Sequence, residues 1–379
     1  MITVSLPGGR KKEVPEGTML LDLSKELESE YRALIVAAKV DNEIKELTYR
    51  VEEPCNIEFI DLTEEDGMRI YRRSLHFLLI KASHDLFPDR KVIINHSISK
   101  GIYCEITGEK ELTQDEVKKL EQRMKELVDA RIPFVKREVP IDEAREIFIK
   151  NNRMDRFQVI EYRKKPYVTM YRCDDVDDYF YGYMVPDTGY LKVFSLKFYP
   201  PGLIMLFPEK TNPEVLPEFV EQRKLFNVFA EYTRWGRILG ADTAGELNSI
   251  VASGKIGELI RVSEALHEKK IAQIADMITQ SAHKKRIILI SGPSSSGKTT
   301  FAQRLSIQLR VNGVRPVTIS LDDYFVDREN TPRDENGELD FEALESIDIK
   351  LFNAHLTDLI NGREVEVPVF DFSKGKRSL

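Results

Sequence analysis

One short run near the carboxy end constrains this chain more than anything else in it. Gly292-Pro293-Ser294-Ser295-Ser296-Gly297-Lys298-Thr299 follows the apolar run Ile287-Ile288-Leu289-Ile290 and precedes a stretch with Phe301, Leu305 and Leu309 at helical spacing. The pattern G-x-x-x-x-G-K-[ST] between an apolar run and a helix is that of a phosphate-binding strand–loop–helix. A near-continuous branched run predicts a strand buried on both faces of a parallel sheet. Gly292 and Gly297 allow turns that a side chain would obstruct. Backbone amides can then converge on phosphate oxygens, helped by the positive end of the helix. The spacing places Lys298 on the β and γ phosphates of ATP and the Thr299 hydroxyl on Mg²⁺. The expected ATP-binding set is Gly292, Pro293, Ser294, Ser295, Ser296, Gly297, Lys298, Thr299 and Thr300.

A second strand is expected over Val314–Leu321, ending in Asp322-Asp323-Tyr324-Phe325. Residues just past the carboxyl ends of parallel strands line the ligand crevice. A carboxylate there can accept a proton from an attacking hydroxyl or hold a metal ion; the other reading is a loop aspartate capping a turn.

With 379 residues the chain calls for two or three domains, and an apolar fraction of 42% supplies a core for each. A formal net charge of −7 argues against a protein that coats nucleic acid, although a local basic patch could still touch RNA. Cys55, Cys104 and Cys173 form no CxxC pair, which suggests a reducing compartment and no structural zinc cluster. No stretch approaches the roughly 20 apolar residues of a membrane span, and no signal-peptide pattern opens the chain. A cytoplasmic location is expected.

Residues 1–61 alternate as Ile2–Leu6 and Lys11–Val14 around Pro7-Gly8-Gly9. A helix capped by Thr18 should follow, then strands at Leu34–Val40, Lys45–Leu47 and Ile57–Asp61. Two hairpins around one helix is a β-grasp pattern. The stretches SLPGG, VPEGTMLLDLSKEL and AAKVDNE resemble a TGS domain, a small module of threonyl-tRNA synthetases and some GTPases. The resemblance implies contact with RNA or a regulatory ligand, and the alternative is a docking module that binds nothing itself.

Residues 62–208 read as an α+β domain. Helices are expected over Gly67–Leu86, Thr113–Ala130 and Asp142–Asn151, the second opened by a capping box. Strands are expected at Val92–Asn95, Gly101–Ile106, Tyr167–Arg172 and Tyr190–Phe198. RRSLHFLLIKASHDLFPDRKVII, SKGIYCEI, YRCDDVDDY and VPDTGYLKVFSL resemble the editing domain of threonyl-tRNA synthetases. That family carries H-x-x-x-H and C-x-x-x-H pairs, whereas the matching positions here are Arg72, His76, Phe180 and Met184. One imidazole beside an arginine cannot hold zinc, so no aminoacyl-ester hydrolysis is expected. The cleft, lined by Tyr179, Phe180, Tyr181 and Tyr183, is left as a binding pocket. The acidic run Asp174, Asp175, Asp177 and Asp178 reads as a solvated loop rather than a cation site, and His84, His96, His267, His283 and His355 read as solvated or surface hydrogen-bonding groups. Residues 209–285 form a helical connector, with helices over Glu218–Leu239 and Ile256–Ser281 and breaks at Gly240 and Gly254. Its expected task is to hold the C-terminal part against the N-terminal pair.

From 286 to 379, GPSSSGKTTFAQRL, ISLDDYFVDR and NGREVEVPVFDF with KGKR resemble uridine kinase and its phosphoribulokinase relatives. The resemblance implies a P-loop domain with a parallel sheet, ATP and Mg²⁺ as cofactors, and phosphoryl transfer to a nucleoside or related small molecule. It implies Lys298 and Asp322 as catalytic residues, Asp322 being the base. Glu342 or Asp340 stands where a sugar contact is expected, Phe370 replaces a base-contacting tyrosine, Phe372 keeps an aromatic wall, and Arg377 matches a basic position. Gly375 stands where a histidine is usual. These departures remove groups that would read a pyrimidine edge. The family's kinase part also runs on past the point matching Leu379, with a further core strand, an arginine-bearing lid and a nucleotide-base contact. The chain is therefore expected to be a truncated piece that keeps the phosphate loop and transfers phosphate slowly or not at all. The alternative function is an RNA-associated ATPase or sensor. No membrane partner is expected, and assembly into an oligomer is left open.

Overall fold

The computed structural model describes residues 1–281, 286–335 and 337–378. The chain divides into two compact units, Met1–Lys255 and Ile256–Leu379, and this division falls inside the stretch read as a connector.

The first unit opens with β1 (Ile2–Leu6), β2 (Arg10–Val14), the short β3 (Thr18–Met19) and α1 (Leu20–Leu27). β4 (Ile35–Val40), β5 (Glu43–Glu46), β6 (Arg50–Val51) and β7 (Cys55–Asp61) follow. Five strands form a mixed sheet in the order β2-β1-β7-β4-β5, with β1 and β7 parallel at its centre. Two antiparallel hairpins thus flank a parallel pair. Leu20 and Leu23 of α1 are buried with Val4, Ile57 and Phe59. The β4–β5 turn uses Asp41 and Asn42 at φ 50° and 67°, both left-handed, as a tight hairpin requires. Thr18 does not cap the helix: it lies in β3, its hydroxyl donates to the Pro15 carbonyl at 2.6 Å, and Met19 occupies the N-cap without a side-chain bond.

α2 (Glu65–Leu86) carries Glu65 and Asp66 in its first turn, where the helix dipole favours acid. Met68, Tyr71, Leu75 and Leu78 are buried in one core with Val36, Ala37 and Ile60 of the first sheet. Gly67 makes this approach feasible, because a Cβ there would lie 2.0 Å from the Asp61 carbonyl oxygen. β8 (Lys91–Ile98), β9 (Gly101–Thr107) and α3 (Gln114–Ala130) come next. Thr113 and Glu116 form the expected capping box at α3.

β10 (Phe134–Pro140), α4 (Ile141–Lys150), α5 (Met154–Glu161), β11 (Tyr167–Cys173) and β12 (Val176–Tyr179) build a three-stranded sheet with two helices. β13 (Ser195–Tyr199) and β14 (Gly202–Leu206) complete an antiparallel sheet in the order β13-β14-β9-β8. The strand expected from Tyr190 therefore starts at Ser195, after a 3₁₀ turn over Thr188–Tyr190. β14, buried along its whole length, had no expectation: its apolar run lacks alternation because both faces are covered.

α6 (Arg223–Leu239) and α7 (Ala244–Ala252) end the unit, and Gly240 caps α6 in the left-handed region at φ 62°. His96 is no surface turn residue. It sits on β8, half-buried, with its ring stacked on Phe229 at 4.2 Å, and burial holds its pKa below the usual imidazole value.

The acidic run divides: Asp174 and Asp175 form an exposed turn between β11 and β12, as expected, whereas Asp177 and Asp178 lie on β12. Asp178 is fully buried between Arg153 at 3.2 Å and Arg156 at 3.0 Å. Asp177 pairs with Arg172 at 2.7 Å, while Asp174 and Asp175 hold Lys81 at 3.1 and 2.5 Å. Arg153, Arg156 and Lys81, distant in sequence, neutralise three of these acids, and Arg172 across the β11–β12 hairpin the fourth.

The second unit begins with α8 (Ile256–Ser281) and continues through α9 (Lys298–Val311), α10 (Ile349–Ile360) and a small antiparallel ladder of β15 (Val369–Asp371) and β16 (Lys376–Ser378). The parallel sheet expected here is not formed among the described residues. Ile287–Ile290 has no ladder partner, and Leu289 is 85% exposed. Val314–Leu321 is likewise not a strand. A branched apolar run announces burial, but a strand exists only where a neighbour satisfies its backbone groups. His283 lies outside the described residues. Among the described residues no helix is long and apolar enough to cross a membrane.

Candidate functional site

α9 fixes the glycine-rich loop. Its Leu305 and Leu309 are buried against Ile271 and Ala275 of α8, with Phe301 partly covered beside them. Arg304 and Gln308 both reach Glu268, and Asn312 donates to Asp276 at 2.8 Å. The helix therefore starts from a held position, with Gly297 as N-cap at φ 83°. Ser295 also adopts the left-handed region at φ 58°. The Ser296 amide donates to the Pro293 carbonyl at 3.3 Å, closing the turn. At Gly292 a Cβ would come within 2.8 Å of the Ser296 hydroxyl, which would have to rotate away.

Lys298 turns its ammonium back over the loop and donates to the carbonyls of Gly292 at 2.8 Å and Pro293 at 2.9 Å. Thr299 and Thr300 are exposed in the first turn. The first amides of a helix have no intrahelical acceptor, so a concave run of donors and one cation meet at this end. Such a set suits polyphosphate. A hydroxyl at Thr299 is a hard oxygen donor of the kind Mg²⁺ accepts alongside phosphate oxygens.

The acceptor-side residues gather around a 3₁₀ turn over Leu321–Tyr324. Asp322 is exposed on that turn. Its neighbour Asp323 accepts the Phe370 amide of β15 at 3.4 Å, joining the turn to the small ladder. Tyr324 is fully buried, with its hydroxyl 3.1 Å from Nδ1 of His355, so His355 is not simply solvated as its charged neighbours suggested. Phe325 packs with Phe341, Phe370 and Phe372, whose centroids lie 5.9, 5.6 and 6.1 Å away.

The remaining sequence candidates divide in use. The Asp340 carboxylate accepts the amides of Glu342 at 2.9 Å and Ala343 at 3.1 Å, so it shapes a local turn. Glu342 itself is exposed. Arg377 pairs with Asp348 at 3.0 Å and pairs in register with Phe370. Asp323, Asp348, Phe325 and Phe341 had no assigned role from sequence. Only the proximity of Asp323 to Asp322 gave any signal. No hydrogen bond or ion pair among the described residues joins the glycine-rich loop to Asp322.

In the first unit the editing-like positions are filled by packing. Phe180 packs on Phe77 with the rings tilted and their centroids 5.0 Å apart, and Met184 is buried with its sulfur 3.5 Å from the Ser74 hydroxyl. Arg72 lies over the Phe207 ring, and Arg73 donates to the Tyr183 carbonyl at 2.7 Å. His76 Nε2 is buried without a partner among the described residues. Burial, with Arg72 and Arg73 nearby, lowers its pKa to about 4. Of the expected cleft-lining rings, Tyr181 is 84% exposed while Phe180 turns into the core.

Residues 287–379 match the Phosphoribulokinase / Uridine kinase family. Over 197 residues the chain is 30% identical to a threonine–tRNA ligase of Desulforamulus reducens, covering 52% of this chain and 31% of that protein. A threonine–tRNA ligase of Clostridium kluyveri is 27% identical over 197 residues, with the same shares. One from Halorhodospira halophila is 30% identical over 198 residues, again 52% and 31%. The chain thus spans about a third of the length of these curated relatives. It combines similarity to a kinase family at one end with similarity to tRNA ligases over its N-terminal half.

Proposed function

We propose that this protein is an ATP-dependent kinase that transfers the γ-phosphate to a hydroxyl of a nucleoside-like small molecule. The observation that carries the reading is the loop from Gly292 to Thr299, with its left-handed Ser295 and Gly297, exposed helix N-terminus and inward-folded Lys298. Its match to the Phosphoribulokinase / Uridine kinase family supports the same chemistry.

In this account the loop amides and Lys298 hold the β and γ phosphates, and Thr299 contributes a Mg²⁺ ligand. Bound Mg²⁺ would neutralise developing phosphate charge. Asp322 takes the proton of the attacking hydroxyl, a task for which an exposed carboxylate at a turn is chemically suited. Phe370 and Phe372 form an apolar wall for the acceptor, with Asp340, Glu342 and Arg377 as its polar surround. The threonine–tRNA ligase similarity favours a second reading, an ATPase whose nucleotide state is coupled to RNA contact by the first unit.

Labelled ATP incubated with a nucleoside panel, with and without tRNA, separates the two. Transfer to a nucleoside supports the kinase; ATP loss that appears only with tRNA, without transfer, supports the second reading. Asp322→Asn should lower transfer by roughly 10²–10⁴-fold while ATP still binds. Undiminished turnover would remove Asp322 from the base role.

A further inference from the structure

Arg328 is clasped by the small β15–β16 ladder. Its amide donates to the Gly375 carbonyl at 2.9 Å, and its Nη2 donates to the Phe372 carbonyl at 2.8 Å. One residue earlier, Asp327 accepts the Arg377 amide at 3.0 Å, so the segment is tied to the ladder from both sides. Gly375 turns with φ 64°, and a Cβ there would lie 2.7 Å from Nε of Arg328 and 2.9 Å from its Cζ. The guanidinium therefore takes the space that a side chain at 375 would fill.

We infer that Arg328 selects the phosphate acceptor by the edge of its base, which rests on Phe370 and Phe372 being the acceptor wall of the kinase reading. Two arginines stand beside that wall. Arg377 is paired with Asp348 at 3.0 Å. Arg328 is exposed, and no carboxylate among the described residues comes within ion-pair reach of it. The Phe372 carbonyl occupies one Nη2 hydrogen, which leaves a planar pair of donors at the outer end of the guanidinium. Such a fork, held in place by its own backbone, matches two neighbouring acceptors in one plane. The Phe372 ring packs on Phe370 with centroids 5.0 Å apart and is 55% exposed, so it offers a face on which a base can stack.

The acceptor is then a nucleoside whose base shows two adjacent hydrogen-bond acceptors. O6 and N7 of a 6-oxopurine form such a pair, as do O2 and N3 of cytosine. Uracil places an N–H between its two carbonyls, and adenine sets an amino donor beside N7. Neither fills the fork. A carboxylate or phosphate would satisfy the same donors but gives Phe372 nothing to stack on.

Equilibrium dialysis of labelled guanosine, cytidine, uridine and adenosine against the full chain tests this, with Mg-ADP present so that no transfer consumes them. Guanosine or cytidine should bind on the order of tenfold more tightly than uridine and adenosine, and the preferred one identifies the base. Arg328→Lys keeps the charge without the fork, and should remove that preference while uridine affinity stays unchanged. If the lysine variant fails to fold, Arg328→Gln gives the same reading. A residue that only braced the ladder would weaken all four nucleosides alike. That result, uridine bound as tightly as the others, or no nucleoside bound by the folded chain overturns the assignment. Selective binding without phosphate transfer counts against the kinase reading alone, whereas transfer to all four without preference counts against the role of Arg328 alone.

Discussion

The ammonium of Lys298 lies 2.8 Å from the carbonyl oxygen of Gly292, the first residue of its own loop. A second bond to Pro293 at 2.9 Å keeps the cation at the mouth of the loop. Incoming phosphate oxygens would take over from these two carbonyls. The lysine supports no buried core, so Lys298→Ala should change folding stability by no more than about 0.5 kcal/mol. Urea unfolding of both proteins checks this. A much larger loss would mean that the lysine is structural.

Asp178 is the acid most dependent on its partners. It is fully buried, and Arg153 and Arg156 close on it from α5 and the turn before it. The two carboxylates Asp178 and Asp155 raise the pKa of Arg153 above its ordinary value against the opposing effect of burial. Asp178→Ala leaves two partly buried guanidinium groups short of an acceptor. The expected cost is about 3–5 kcal/mol, read as a lower urea midpoint with an unchanged slope.

His76 should make the protein acid-sensitive. Burial and two neighbouring arginines hold its folded pKa near 4, below the ordinary 6.5. Between those values the unfolded chain binds a proton that the folded chain refuses. Stability therefore falls as pH drops from about 6.5 toward 4, by at most about 3 kcal/mol from this group, and levels off below. His76→Gln should flatten that part of the profile. An identical slope in the variant would place the effect elsewhere.

Much of the first unit was legible because its signals are local. Asp41-Asn42 marked a turn, Thr113 with Glu116 a helix start, and Gly240 a helix end, and each depends on a few adjacent residues. What escaped depends on distant partners. Asp178 looked solvated because nothing in its own neighbourhood names Arg153 or Arg156. The loop motif at Gly292 was plain, yet the run before it told nothing of whether a strand would pair beside it. The tie between Asp323 and Phe370 joins segments 47 residues apart and left no local trace.

The most direct test of the central claim is isothermal titration of Mg-ATP into the folded full chain and into Lys298→Ala. The account predicts saturable heat for the parent, and an affinity at least about tenfold weaker in the variant, equivalent to about 1.4 kcal/mol. Absence of heat from the parent, or equal affinity in the two proteins, would contradict it.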